Sequence, residues 1–386
     1  MQAFDMRKWM LLFFTRLRTG TVHYIGGADP LPQPLSYEEL LVLTEKLADI
    51  HAGLYDYPPR LTQDDLVRFI QIEFDRIGAD ANLTPREVIR DFIELLNILC
   101  QNPSLRVAEL LGDSIYDAVC DFIVFTPDQA ARDVRLFRER ARQYVFISSA
   151  SAYCKPLPRL PIAEDTPLDN PYWLYSRNKA ACEELLLVEH ARTGFPVTIV
   201  RPSHTYCERS LPVQIHGAGG AWAVLERMMQ GKRVPVACDG ESLWVMTTAE
   251  DFAVYFCGLL GNHAAIGEAF HITSDETITW NQVYRALADI LGVDYRPCYV
   301  PAWLLAQSRL YDFNGSILGD KANSVIFDNS KVRRVTGIGR IDFTPYAVGA
   351  RRSVEYFLSH PDMQRPDPDF QAFCDHVEDV AAGMML

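Results

Sequence analysis

The sequence predicts an α/β fold: a partial parallel sheet preceded by a mainly α-helical N-terminal segment. Two observations carry this. Residues 1 to about 110 hold three capped helical patterns and no period-2 strand run. From residue 117 the rhythm changes to uninterrupted apolar runs, "DAVCDFIVF", "QYVFISS" and "FPVTIVRPS", separated by helical stretches. Apolar runs without polar alternation mark strands covered on both faces, and strand–helix–strand spacing makes them parallel.

In the first segment, Ser36 and Glu39 open a helix whose stripe is Leu40, Leu41, Leu43, Leu47 and Ile50. Thr62 with Asp65 opens a second, with Asp where a capping box usually has Glu. Thr84, Pro85 and Glu87 supply the cap, the first-turn proline and the N3 carboxylate of a third. In the second part, Thr126, Pro127, Asp128 and Gln129 start the helix between the first two apolar runs. Further helices are expected near 218–230, 248–260 and 279–291. The expected domains are 1–112 and 113–386.

Lys and Arg number 37 against 50 Asp and Glu, a formal net charge of −13. That balance argues against a broad nucleic-acid-binding surface, which needs clustered cations. The nine cysteines are widely spaced and never C-x-x-C, so a reducing cytoplasm fits better than a disulfide framework. The nine histidines show no metal-ligand spacing, and no metal is expected. "WMLLFF" at 9–14 is too short to span a bilayer and lacks signal-peptide flanks.

The chemistry centres on "NPYWLYSRNKAACEELL", which places Tyr175 four residues before Lys179 on one helix face. A phenol is a poor base near neutrality, and a neighbouring ammonium is expected to draw its pKa toward the working range. The strand-end loop "FISSASAY" offers Ser148, Ser149 and Ser151 as a hydroxyl to align a reacting oxygen. Parallel strands present catalytic side chains at their carboxyl ends, where this loop lies.

Residues from about 113 to 360 resemble the extended short-chain dehydrogenase/reductase family, in its NAD-dependent epimerase/dehydratase branch. The matching text is "FISSASAY", "NPYWLYSRNKAACEELL" and "VTIVRPSHTY", with "GEAFHITSDETITWNQV" and "FDNSKVRR" further on. The resemblance implies a Rossmann-like sheet in which these strands are the fourth to sixth. With Tyr153 as the landmark, it implies Ser149, Tyr175 and Lys179 as catalytic residues. It also implies Phe125, Ser148, Tyr175, Lys179, Pro202, Ser203 and His204 around a bound NAD or NADP. The implied substrate is a nucleotide sugar or related polyol, and a homodimer is compatible. Arg201 reads equally well as an ion-pair partner.

Such folds hold the pyrophosphate on a glycine-rich turn opening a helix. Neither G-x-x-G-x-x-G nor G-x-G-x-x-G occurs. "VHYIGGADPLPQP" ends in Gly26 and Gly27, but the third glycine is missing and three prolines follow. "HGAGGAWAV" comes after the third apolar run and is expected on the substrate side. Residues about 35–103 instead resemble the C-terminal helical part of P-loop ATP-binding proteins of BREX-type systems, in which Arg86 would fall on a nucleotide-sensing arginine. The sequence thus reads as a join near 104–116 of two partial families, leaving the first recognisable strand as an apolar edge.

Three readings follow: a Tyr-assisted hydride-transfer enzyme, a non-catalytic RNA-binding or scaffold relative, or a fusion that has lost its cofactor site.

Overall fold

The computed structural model describes residues 37–77, 85–103 and 115–383. Gly26 and Gly27, the apolar run 9–14, the caps Ser36 and Thr84 and the segment 104–114 lie outside the described residues, as does the Arg86 side chain. The chain divides into two units, Met1–Leu111 and Gly112–Leu386.

The first unit holds α1 (Tyr37–Tyr55), α2 (Gln63–Ile77) and α3 (Pro85–Gln101) around Leu40, Leu66, Phe69, Ile70, Val88, Phe92, Leu96 and Leu99. Asp65 completes the capping box despite its short side chain. Its carboxylate accepts from the Thr62 amide at 2.9 Å and hydroxyl at 2.7 Å, and its own amide donates to the Thr62 hydroxyl at 3.2 Å. The expected α1 stripe needs one correction: Ile50 is exposed. A 3.6-residue period puts Thr44 and His51, not Ile50, in line with Leu40 and Leu47, and both are buried. His51 hydrogen-bonds Tyr57 and Asn97, tying α1 to α3.

The second unit contains a four-stranded, all-parallel sheet. Its first elements are β1 (Val119–Asp121), α4 (Pro127–Phe137), β2 (Tyr144–Ile147), α5 (Leu174–Thr193), β3 (Val197–Pro202) and β4 (His204–Tyr206). Next come α6 (Ala221–Met229), β5 (Val234–Ala237), β6 (Leu243–Trp244), β7 (Met246–Thr248), α7 (Ala249–Leu259) and β8 (Ala269–Ile272). The sheet order is β1-β2-β3-β8. Tyr144, Phe146, Val197 and Ile199 point to one face and pack on Cys182 and Leu186 of α5. Val145, Ile147, Val200 and Ile272 point to the other and pack on Phe252, Tyr255 and Leu259 of α7. Both faces are covered, which is why the strands read as continuous apolar runs.

The first run is mostly not strand, since only three of its residues pair. Asp121 ends it by accepting the amides of Ile123 and Val124 at 2.8 and 3.0 Å. Beyond β1 no further strand pairs among the described residues, and Phe122, Ile123 and Phe125 are 52%, 65% and 45% exposed.

The rest of the unit builds a separate core around Trp222, Leu225, Trp244, Trp280, Tyr284 and Leu287. "HGAGGAWAV" does not line the candidate cavity. Gly217 and Gly219 pack against Asp367 and Phe370, and a Cβ at Gly217 would meet Asp367 at 2.5 Å. The nine cysteines are all free. Among the described residues no helix is long and apolar enough to cross a membrane.

Candidate active site

β2 delivers the serine loop to the carboxyl end of the sheet. The Ser148 amide still pairs with the Val200 carbonyl at 2.8 Å, while its side chain is buried with an unpartnered hydroxyl. At Ser149 the chain turns into a short 3-10 turn, Ala150–Ala152. Ser149 caps that turn, accepting from the Ser151 amide at 3.2 Å and bonding the Ser151 hydroxyl at 2.9 Å. Ser176 of α5 donates to Ser151 at 2.8 Å, so three hydroxyls in series tie the loop to the helix bearing Tyr175.

Tyr175 lies in the first turn of α5, between the Trp173 ring at 5.0 Å and the Phe125 ring at 6.3 Å, centroid to centroid. Lys179 follows one turn later and is 1% exposed. Its ammonium donates to the carbonyls of Val124 at 2.6 Å and Ile147 at 2.7 Å. The nitrogen is 4.7 Å from the Phe125 ring centre, 4.9 Å from that of Phe146 and 5.8 Å from that of Tyr175.

The electrostatics correct the sequence expectation for the phenol. Burial raises the Tyr175 pKa, the Ser149 hydrogen bond opposes this, and the Asp320 charge raises it further. The lysine's own hydrogen bonds go to main-chain carbonyls and not to the phenol oxygen. Burial also lowers its own pKa to about 8, against the nearby Cys182, Asp121 and Glu183.

Ser149 and Tyr175 open onto a cavity of about 380 Å³, together with Pro202, Ser203 and His204. Phe125 and Lys179 stand behind Tyr175 rather than on the cavity wall, and Ser148 is also off the wall. Burial pushes the His204 imidazole down to about 3, so it is neutral.

The sequence reading missed Trp173, Trp244, Asp320, Lys321 and Phe327, which also line the cavity. Asp320 and Lys321 end a π-helical turn, Asn314–Lys321, which has no sequence signature. Burial raises the Asp320 carboxyl to about 6 against Lys155 and Lys321, and lowers Lys321 to about 8. Lys321 donates to the carbonyls of Val213 and Gln214 at 2.9 and 3.1 Å.

Arg201 is an ion-pair partner. It is 5% exposed, contacts Glu183 at 2.6 Å and donates to Tyr153 at 2.8 Å and the Glu164 carbonyl at 2.8 Å. Tyr153 also bonds His271, which makes the landmark tyrosine a buried support.

A dinucleotide fits these residues at one end. Its nicotinamide would have Tyr175 and Pro202 beside it, with Lys179 behind the phenol. Among the described residues no glycine-rich turn stands at the β1 edge of the sheet to hold its pyrophosphate.

A parallel sheet covered by helices on both faces defines a Rossmann-like α/β fold. Residues 129–273 match the NAD dependent epimerase/dehydratase family, and residues 31–115 match the BREX system ATP-binding proteins BrxC/D. The two matches thus fall on different parts of the chain, each on less than half of it. Over 201 residues it is 28% identical to 2'-dehydrokanamycin reductase of Streptomyces kanamyceticus, covering 51% of this chain and 55% of that protein. Over 154 residues it is 28% identical to the chloroplast stem-loop binding protein of 41 kDa b of Arabidopsis thaliana, covering 40% and 37%. The chain thus spans just over half of the first relative's length and about a third of the second's.

Among solved structures, the epimerase Mth375 of Methanothermobacter thermautotrophicus superimposes with a TM-score of 0.53 at 14% identity, over 71% of this chain and 77% of that one. A dTDP-glucose 4,6-dehydratase of Bacillus anthracis, solved with NAD, gives 0.50 at 15% identity, over 70% and 78%. At such identities the likeness is one of fold.

Proposed function

We propose that the second unit carries the acid/base centre of an epimerase/dehydratase-type reaction on a sugar or related polyol. Tyr175 exchanges a proton with a substrate hydroxyl, Ser149 aligns that oxygen, and Lys179 fixes the geometry of the loops behind them. The observation that carries this reading is the convergence of Ser149, Tyr175, Pro202, Ser203 and His204 on one cavity. NAD, or NADP, is the cofactor the family resemblance implies, and it would supply hydride exchange when bound. A nucleotide sugar is the substrate suggested by the family. The three-strand half that would hold the pyrophosphate is the part of the fold not found among the described residues.

Binding is the decisive measurement. A ligand that binds only the native state raises the thermal midpoint. Millimolar NAD(H) or NADP(H) is expected to raise it, and turnover should fall by about 10²–10⁴ in Tyr175→Phe. No shift with either cofactor would overturn the hydride-transfer reading. It would favour the third reading, a fusion that has lost its cofactor site, for which the unpaired edge at β1 is the supporting observation.

A further inference from the structure

Three of the segments that build the cavity wall are the serine loop, the start of α5 and the π-helical turn Asn314–Lys321. One side chain bonds all three. Asn170 is 1% exposed and does not line the cavity itself. Its amide nitrogen donates to the Ser151 carbonyl at 2.7 Å and to the Gly319 carbonyl at 2.6 Å. Its carbonyl oxygen accepts from the Tyr172 amide at 3.1 Å, a local turn that leads into α5.

Each of these partners stands beside cavity residues. Ser151 lines the cavity and hydrogen-bonds Ser149. Tyr172 precedes Trp173, and Tyr175 follows in the first turn of the helix. Gly319 precedes Asp320 and Lys321. The π-helical turn is also pressed against the helix start. Gly315 leaves no room for a Cβ beside the Trp173 ring, and a Cβ at Gly319 would meet Tyr172 at 3.0 Å and Asn170 at 3.2 Å.

The arrangement selects asparagine. Two carbonyls face one end of the side chain and an N–H faces the other, and a primary amide supplies two donors and an acceptor in that order. Aspartate would set a carboxylate oxygen against two carbonyls, and leucine would leave both without this donor. Asn314, an exposed side chain of the same turn, donates to the Tyr172 carbonyl at 2.8 Å.

We propose that Asn170 is a positioning residue for the acid/base cavity, its one buried amide holding Ser149, Tyr175 and Asp320 in mutual register. It acts through the serine loop, the helix start and the π-helical turn. The assignment rests on Tyr175 being the acid/base group proposed above, and it requires no bound cofactor.

The test reads that register in the full chain without cofactor. The Tyr175 phenolate titration is followed as the absorbance difference between each protein and its Tyr175→Phe counterpart. Asp320→Asn is expected to lower the midpoint in the wild-type background, because it removes a charge that holds the phenol protonated. In Asn170→Ala the same substitution is expected to produce no shift, since the effects of coupled groups do not add. A role confined to stability would lower the unfolding midpoint and leave the shift intact. Asn170→Leu, which fills the volume of the amide without its donors, is expected to lose the shift as the alanine variant does. Asn314→Ala is expected to keep it. Equal shifts in the wild-type and Asn170→Ala backgrounds, including none in either, overturn the proposal. It also falls if Asn314→Ala loses the shift equally. The same holds if neither Asn170 variant retains the near-ultraviolet circular dichroism of the wild type, which would make the amide a requirement for folding. Because the readout contains no NAD(H), a failure of cofactor binding would sink the hydride-transfer reading and leave this result standing.

Discussion

Asp320 and Tyr175 share one cavity, and the carboxylate's charge adds to burial in holding the phenol protonated. Asp320 itself sits at about 6, so near neutral pH its carboxylate form predominates and acts on Tyr175. Replacing it with asparagine removes that charge and lowers the Tyr175 pKa. If Tyr175 must be ionised to act, the rising limb of activity moves to lower pH in Asp320→Asn. The phenolate absorbance difference between each protein and its Tyr175→Phe counterpart measures the shift without turnover. An unchanged titration would show that the two groups do not interact.

Lys179 is predicted to act first on structure. Its ammonium holds the Val124 and Ile147 carbonyls, tying α5 to the end of β2 and to the turn after β1. Lys179→Met leaves both without this donor and is expected to cost about 1–3 kcal/mol in urea denaturation near neutral pH. The pH dependence has a definite sign. The folded pKa, about 8, is below that of an ordinary lysine, so between about 8 and 10.5 the unfolded chain binds more protons. Stability contributed by this group therefore rises with pH across that window. The methionine variant lacks that rise, and a parallel pH profile in both proteins would contradict the assignment.

Much of this arrangement was legible because it rests on local chemistry. Thr62, Thr126 and the Tyr175 helix announce their caps and spacing within a few residues. The unbroken apolar character of 143–149 and 195–203 follows from burial on both sheet faces. The raised pKa of Tyr175 was not legible, because spacing places Lys179 nearby without showing how far the phenol is buried. Trp244 and Asp320 escaped for a different reason. They come from β6 and a π-helical turn far along the chain, and only tertiary packing brings them to the cavity that Tyr175 opens onto.

The buried pair of Arg201 and Glu183 gives a stability prediction. Both side chains are at most 5% exposed and the pair is bidentate, with contacts of 3.0 and 2.6 Å. Removing one partner strands the other charge away from water, so Glu183→Ala should cost roughly 3–5 kcal/mol. Replacing both, as Arg201→Met with Glu183→Leu, should recover much of that loss, because the desolvation cost of two charges disappears. Denaturant midpoints of the three proteins decide it. A double variant no more stable than Glu183→Ala would mean that the bonds from Arg201 to Tyr153 and the Glu164 carbonyl carry the energy instead.

The edge at β1 yields the last prediction. A parallel sheet buries both faces of its strands, and an edge strand offers a row of unpaired main-chain groups as well. In β1 and the turn after it, Phe122 and Ile123 are more than half exposed, and β2 is the strand's one partner among the described residues. Natural edges are commonly blunted by a charged side chain, above all lysine, and none stands between Val119 and Phe125 except Asp121. The carboxylate of Asp121 is turned back onto the Ile123 and Val124 amides and is not available to repel a neighbour. Ile123→Lys restores the missing charge at a site 65% exposed, where the stability change should stay within about 0.5 kcal/mol. Static light scattering over a concentration series should therefore show association in the wild type that falls in the variant, with both proteins unfolding at nearly the same temperature. Equal scattering would mean that this edge is not what drives association.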